Sequence, residues 1–333
     1  MSGAVMVEPL LQVRGLRTWF ETPRGTAKVL DGLDLDLGRG EILGLVGESG
    51  SGKSVTAYSI ARLVRPPGSI VDGRVLLEGR DLLALSEREM RDVRGTQISM
   101  IFQDPRGFLD PVARVGSVLQ EIYRTHEHGS RKEARARALE LLRAVGLPAP
   151  ERVYRAYPHE LSGGMAQRAM IALALACSPK LLIADEPTTA LDVTIQIQIV
   201  RLLAELRERL GLSILLITHN LSVVAEICDR VAVMYAGEIV EAAPALEVFA
   251  RPRHPYTVGL LGARPRLSAV EDRLADIPGR VPDLIDLPSG CRFHPRCFLG
   301  DERCRREAPE LRPLAADHDS RCHYAERLRE DAA

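Results

Sequence analysis

Two stretches of the chain carry residues of the right type and spacing to handle a phosphorylated substrate. Gly47-Glu-Ser-Gly-Ser-Gly-Lys53-Ser54 fits the phosphate-loop pattern G-x-x-x-x-G-K-[ST]. Glycines at 47, 50 and 52 let backbone N–H groups turn inward around phosphate oxygens, and a following helix would point its positive end at the same anion. Lys53 would reach the β- and γ-phosphates, and Ser54 would ligate Mg²⁺. The plain alternative is a glycine turn without a ligand. The full spacing match, with an apolar strand before it and a helical segment after, outweighs that reading. Leu181-Leu-Ile-Ala-Asp185-Glu186 is an apolar strand ending in two carboxylates. Asp185 would hold the Mg²⁺ shell, and Glu186 could orient or deprotonate an attacking water.

Four further features occur in a fixed order. Gln103 follows a short apolar run within Phe102-Gln-Asp-Pro105, and Leu161-Ser-Gly-Gly-Met-Ala-Gln-Arg168 opens a helical segment. Ala190-Leu-Asp192 follows the carboxylates, and His219 ends another apolar run. Singly, each is most simply a surface polar group or a turn. In this order they resemble the nucleotide-binding subunit of an ATP-binding cassette transporter, over roughly residues 10–260. Leu-Ser-Gly-Gly is not shared by other phosphate-loop classes.

The resemblance implies a role for each matching position. Gly47, Ser49, Gly50, Ser51, Gly52, Lys53, Ser54 and Val55 would surround the phosphates. Phe20 would stack on adenine, with Trp19 as the alternative. Gln103 would contact Mg²⁺ and sense the γ-phosphate, Glu186 would be the catalytic base, and His219 the switch residue on the γ-phosphate. Ser162, Gly163 and Gly164 would clamp ATP held by an opposite subunit, with Asp192 crossing that interface. One phosphate loop and one signature per chain then imply a dimer.

The elements that must position these residues alternate between strand and helix. Leu11 to Phe20, Lys28 to Leu37, Ile42 to Val46, Ile98 to Phe102, Leu181 to Ala184 and Ser213 to Thr218 read as strands. Val231 to Met234 and Ile239 to Glu241 read as a hairpin around Ala236-Gly237. Gly52 to Leu63, Ser117 to Leu147 and Val193 to Leu210 read as helices. In the second of these, Ala134, Ala138, Leu141, Leu142 and Val145 share one face, and Arg131, Lys132, Arg135, Arg137, Glu140 and Arg143 fall mostly on the other. Such alternation predicts an α/β fold, with a mainly parallel sheet covered by helices on both faces. The resemblance adds a RecA-like core, an antiparallel β subdomain and a helical subdomain over about 104–178.

Composition narrows the classes. The 333 residues carry 44 Lys plus Arg against 45 Asp plus Glu, a net charge of −1, which argues against a generally basic nucleic-acid binder. Aromatics are only 4%, which disfavours a base-stacking platform. The apolar run Met170 to Cys177 is far short of the roughly 20 residues that cross a bilayer. No basic segment followed by an apolar one opens the chain, so no signal peptide is expected. The expected location is the cytoplasmic face of the cell membrane, held there by partners.

From about Arg251 the character changes, and prolines crowd the chain from Pro252 to Pro313. Density of that kind predicts a small, largely irregular appended domain that needs a staple. The expected division is 8–262 for the cassette and 263–333 for the tail. Cys177 and Cys228 read as core thiols. Cys291, Cys297, Cys304 and Cys322 could close a zinc site or hold a [4Fe–4S] cluster. His294, His318 and His323 are the possible substitutes.

Finer details resemble the first of the two ATPase subunits of dipeptide and oligopeptide importers. Gly47 to Val55, Leu109-Asp-Pro111, Tyr157-Pro-His-Glu-Leu-Ser-Gly-Gly-Met165 and His254-Pro-Tyr-Thr257 carry that likeness. Asp110 stands where the family usually has Asn, and Ala166 where it often has Arg or Gln. The likeness implies a [4Fe–4S] cluster in the tail. It also implies a second, homologous ATPase subunit, two membrane permeases and an external substrate-binding protein as partners. Nickel or glutathione import is the alternative cargo reading. A soluble cassette ATPase acting on nucleic acid is the rival class, but the short stretch between Ser54 and Ser162 leaves no room for its long insertions.

Overall fold

A computed structural model describes residues 9–189, 191–262 and 277–329. Its strands are β1 (Leu11–Thr22), β2 (Gly25–Leu37), β3 (Ile42–Val46), β4 (Gly68–Leu77), β5 (Arg80–Asp81), β6 (Ile98–Ile101), β7 (Leu181–Asp185), β8 (Ser213–Ile217), β9 (Arg230–Tyr235), β10 (Glu238–Pro244), β11 (Arg312–Ala315) and β12 (His318–Ser320). The chain divides into two compact units.

One unit contains Leu37–Ile42 and Leu82–Ile217. Its strands β8, β7 and β6 pair in parallel, with Ile183 opposite Leu215 on one side and Met100 on the other. Strands β7 and β8 are buried at every residue, as a parallel sheet covered on both faces requires. The helical part holds Val115–Glu127, Arg131–Ala144, Gly163–Ala174 and Val193–Leu210. The sequence reads one helical stretch over 117–147; the structure has two helices. His128 and Gly129 break it, with His128 at φ +54°, and Ser130 restarts the chain with a reciprocal cap to Glu133. The predicted apolar face is buried, including Ala134, Ala138, Leu141, Leu142 and Val145.

The other unit contains Leu11–Asp36, Leu43–Asp81 and the described residues from Thr218 onward. An antiparallel sheet runs in the order β2-β1-β4-β5. Strands β11, β12, β10, β9 and β3 lie side by side in that order, and among these pairs only β3 and β9 are parallel. Strands β4 and β5 escape the sequence pattern, because β4 carries Gly68 and Gly73 and exposes many of its residues.

The tail is less irregular than its prolines suggest. Strands β11 and β12 form a hairpin, and β12 extends the sheet by pairing with β10, Ser320 opposite Glu241. Its apolar residues join a shared core: Phe293 and Ile277 cluster with Tyr235, Val240 and Tyr256. The start of the expected tail, 263–276, and Ala190 lie outside the described residues. No helix of the described residues is long and apolar enough to cross a membrane.

Candidate nucleotide site

Strand β3 delivers the chain into the glycine-rich loop, and the helix Lys53–Ile60 leaves it. Three glycines make the turn with φ of +156°, +83° and +109° at 47, 50 and 52. At Gly47 a Cβ would collide with the carbonyl of Met234, and at Gly52 one would lie 3.0 Å from the carbonyl of Val29. Both positions therefore require glycine for space as well as for backbone angle. Ser51 and Lys53 are buried. Lys53 Nζ donates to the carbonyls of Gly47 and Glu48 at 2.8 and 2.9 Å, so its ammonium lies within the loop's own curve. Ser54 and Val55 stand half-buried in the first turn, and Ser49 and Gly50 are exposed.

Two aromatics are the expected alternatives for stacking on a base. The Phe20 ring lies across Gly68 of β4, 2.5 Å from where a Cβ would stand. Trp19 carries the Lys28 ammonium 5.3 Å from its ring centre, and its Nε1 is buried with no hydrogen-bond partner among the described residues. His219 follows buried Thr218 and is exposed, beside Asn220, which caps the helix Leu221–Ile227.

In the other unit, β7 ends at Asp185, which is 1% exposed. Glu186 follows with φ +46°, a left-handed backbone that a non-glycine residue adopts at a cost of about 1–3 kcal/mol. Its N–H donates to the carbonyl of Ile217 at 2.9 Å. Its Oε2 accepts from Gln103 Nε2 at 2.8 Å and from Thr189 Oγ1 at 2.9 Å. The structure thus joins two predicted residues, Gln103 and Glu186, and adds Thr189. The Asp-Glu-Pro-Thr-Thr run was the available signal for that threonine. The signature opens the helix Gly163–Ala174, whose N-cap is Ser162, accepting from Met165 N at 3.3 Å. Asp192 likewise caps the helix Val193–Leu210, accepting from Ile195 N at 2.9 Å. Ser162, Gly163, Gly164 and Asp192 line one cleft of about 510 Å³, with Arg168 and Gln198.

The four tail cysteines gather without forming the expected ion site. Burial, and then the charge of the others, raises the pKa of Cys322, to about 12; its neighbours are Cys297, Cys291 and Cys304. Cys297 is pushed to about 11 by burial and by Cys291 and Cys304. Cys291 N donates to the Cys304 carbonyl at 2.8 Å, and Gly290 permits this approach, since a Cβ there would strike that carbonyl. Yet no group of three or more His, Cys, Asp or Glu side chains among the described residues is arranged to hold a metal ion. The arrangement of the described side chains therefore gives no support to the expected [4Fe–4S] cluster or to its zinc alternative on these cysteines. The substitute histidines have other partners. His318 Nε2 meets buried Glu241 at 2.8 Å, His294 Nδ1 the Cys291 carbonyl at 2.9 Å, and His323 Nε2 the Glu307 carbonyl at 3.0 Å. Cys177 is buried as expected, whereas Cys228 is only half-buried.

Comparison with known proteins decides the family. Residues 30–189 match the ABC transporter family, and residues 240–304 match the oligopeptide/dipeptide transporter C-terminal region. The chain is 52% identical over 315 residues to the probable peptide ABC transporter ATP-binding protein y4tR of Sinorhizobium fredii, covering 94% of each. It belongs to the ATP-binding proteins of peptide ABC transporters. The dipeptide transport ATP-binding protein DppD of Escherichia coli is 46% identical over 95% of this chain and 96% of its own. Among solved structures, the dimeric MJ0796, a bacterial ABC transporter cassette, superposes with a TM-score of 0.64 at 29% identity. It covers 71% of this chain and 98% of its own. The cassette fold expected from the motifs is thus the fold observed.

In this family frame the His254-Pro-Tyr-Thr257 motif gains a physical reading. Fully buried His254 accepts from Tyr256 N at 3.1 Å, and Tyr256 Oη accepts the backbone N–H of Glu48, inside the glycine loop, at 2.7 Å. The motif therefore ties the start of the tail to the phosphate loop, which its position in the sequence does not suggest.

Proposed function

We propose that this chain is an ATP-hydrolysing subunit that energises import of peptides through a membrane complex. The observation that carries the reading is likeness to peptide and dipeptide transport ATP-binding proteins along nearly the whole chain, tail included. Residues 8–262 form the cassette, with its helical subdomain over about 104–178, and 263–333 form the tail.

Phe20 stacks on adenine, while the N–H groups from Ser49 to Val55 and the Lys53 ammonium take the phosphates. Ser54, Gln103 and Asp185 offer oxygens suited to Mg²⁺, which supplies charge neutralisation on the phosphates when bound. Glu186 accepts a proton from the attacking water, and Gln103 and Thr189 hold its carboxylate in place. His219 reads the γ-phosphate. Ser162, Gly163, Gly164 and Asp192 complete the site of a facing subunit, so turnover needs two cassettes. The second is a homologous ATPase, and the pair engages two permeases served by an external substrate-binding protein. The chain sits peripherally at the cytoplasmic face of the membrane.

A [4Fe–4S] cluster on Cys291, Cys297, Cys304 and Cys322 is the proposed occupant of the tail. Four cysteines near one another in the tail supply, once deprotonated, the four thiolates that such a cluster takes, and its contribution when bound is structural cross-linking.

The test is affinity purification of the tagged chain from gently solubilised native membranes. Two multi-span permeases and a second cassette ATPase should be retained. A purely soluble set of nucleic-acid proteins would overturn the reading in favour of the rival class.

A further inference from the structure

We propose that Arg296 and Arg292 of the tail brace the phosphate loop and so set its affinity for ATP. The inference rests on the ATP-site reading above. Arg296 donates to both carboxylate oxygens of Glu48, the second residue of the loop, at 2.6 and 3.0 Å. Its direction is fixed before it gets there: Nε donates to the Pro278 carbonyl at 2.8 Å and Nη2 to the Ile277 carbonyl at 3.3 Å. The guanidinium also lies over the Tyr235 ring, 5.8 Å from its centre, and its side chain is only 5% exposed. A planar fork of this kind fixes a carboxylate in orientation as well as distance. The backbone of the same residue is fixed independently, because the Glu48 N–H is donated to Tyr256. An N–H held by a tyrosine is withdrawn from phosphate binding and serves to anchor the loop.

Arg292 acts on the far side. The Ser51 carbonyl accepts from Gly237 N at 2.9 Å, and the carbonyl of Ala236 in that same turn accepts from Arg292 Nη1 at 2.6 Å. Arg292 is held in turn by Asp31 and Glu238, at 3.0 and 3.1 Å. Both arginines lie between Cys291 and Cys297, in a segment stiffened by the short 3₁₀ turn His294–Arg296. A loop rich in glycine and held at both ends is ordered before ATP arrives. Without the brace the nucleotide must order it, and binding weakens. The competing role is mere attachment of the tail, which predicts lower thermal stability with unchanged affinity at temperatures where the protein is folded.

The experiment uses the full chain and a fluorescent ATP analogue carrying a methylanthraniloyl group, titrated well below each variant's melting temperature. Glu48→Gln and Arg296→Gln should each raise Kd about tenfold. The ATP KM should rise with kcat at saturation unchanged. The double variant should be no worse than either single one, because both remove one link. Arg296→Lys, which keeps charge but not the fork, should recover only part of the affinity. Wild-type affinity in a folded Arg296→Gln, or losses that multiply in the double variant, would overturn the brace. Should Arg296→Gln not fold, the isosteric Glu48→Gln at half-exposed Glu48 decides alone, and unchanged affinity there overturns the proposal. A wild-type chain that does not bind the analogue strikes the ATP site itself. A wild type that binds beside an unaffected Glu48→Gln strikes the brace only.

Discussion

Glu186 combines a left-handed backbone with a carboxylate gripped from two sides, by Gln103 and by Thr189. Strain of that kind persists only where neighbours over-determine the geometry, and it fits a residue that must present one oxygen in one direction. Glu186→Gln should keep ATP affinity, accumulate the closed dimer and lower kcat by roughly 10²–10⁴-fold, as loss of a general base does. Steady-state hydrolysis beside nucleotide binding measures this, and undiminished turnover removes Glu186 as the base. Thr189→Val keeps shape and loses one donor to a charged acceptor. It should lower kcat about tenfold with Kd unchanged; a change in Kd alone would place Thr189 elsewhere in the cycle. At this scale the sequence was readable wherever the chemistry is contiguous, as in Gly47 to Ser54. Arg296 was invisible because its partner Glu48 lies 248 positions away and no spacing rule links them.

Two of the elements begin on residues that have a second duty. Ser162 and Asp192 are each the N-cap of a helix, and both line the signature cleft. Capping accounts for the residue type at Asp192 without reference to any partner, so the two duties have to be separated. Asp192→Ala should cost about 1 kcal/mol of stability, read by chemical denaturation, whereas Asp192→Asn should keep the cap. ATPase activity lost in Asp192→Asn at full stability would belong to charge at the dimer interface; activity retained would leave Asp192 a cap. The long helix Val193–Leu210 and the buried strands β7 and β8 were legible because their apolar patterns are strong and uninterrupted. Strand β4 was not. Its pairing partner β1 supplies the reason for its existence, with Trp19 opposite Ser69 and Phe20 opposite Gly68, and its own residues do not. The apolar periodicity over 117–147 runs straight through His128-Gly129, because a two-residue break is shorter than one helical turn.

For the molecule as a whole, the tail shares its core with β9 and β10, and His254 sits in that seam against Phe293. Burial lowers the His254 pKa from 6.5 to about 3, outweighing its hydrogen bond to the Arg321 backbone. The unfolded chain therefore takes up a proton near pH 6.5 while the folded chain stays neutral. The resulting stability is fully present above about pH 6.5 and is lost progressively as pH falls towards 3, by about 1.4 kcal/mol per pH unit. Denaturant unfolding between pH 7 and 5 should show this slope in the wild type and about one proton less in His254→Gln; equal slopes would mean that His254 titrates normally. The sequence announced a tail but suggested something self-contained and stapled. It could not announce sharing, because shared cores are built from residues that look like ordinary core on both sides.

That sharing has a consequence in time. Glu48 and Arg296 are joined across 248 positions, so the loop leaves the ribosome long before its brace exists. At about 5–20 residues per second, roughly 12–50 s of translation separate the two. For most of its synthesis a nascent chain carries every letter of the phosphate-loop pattern without the contacts that order it. Full ATP affinity then arrives at the end of translation, with docking of the tail. A chain truncated before Arg296 would bind nucleotide about tenfold more weakly than the full chain.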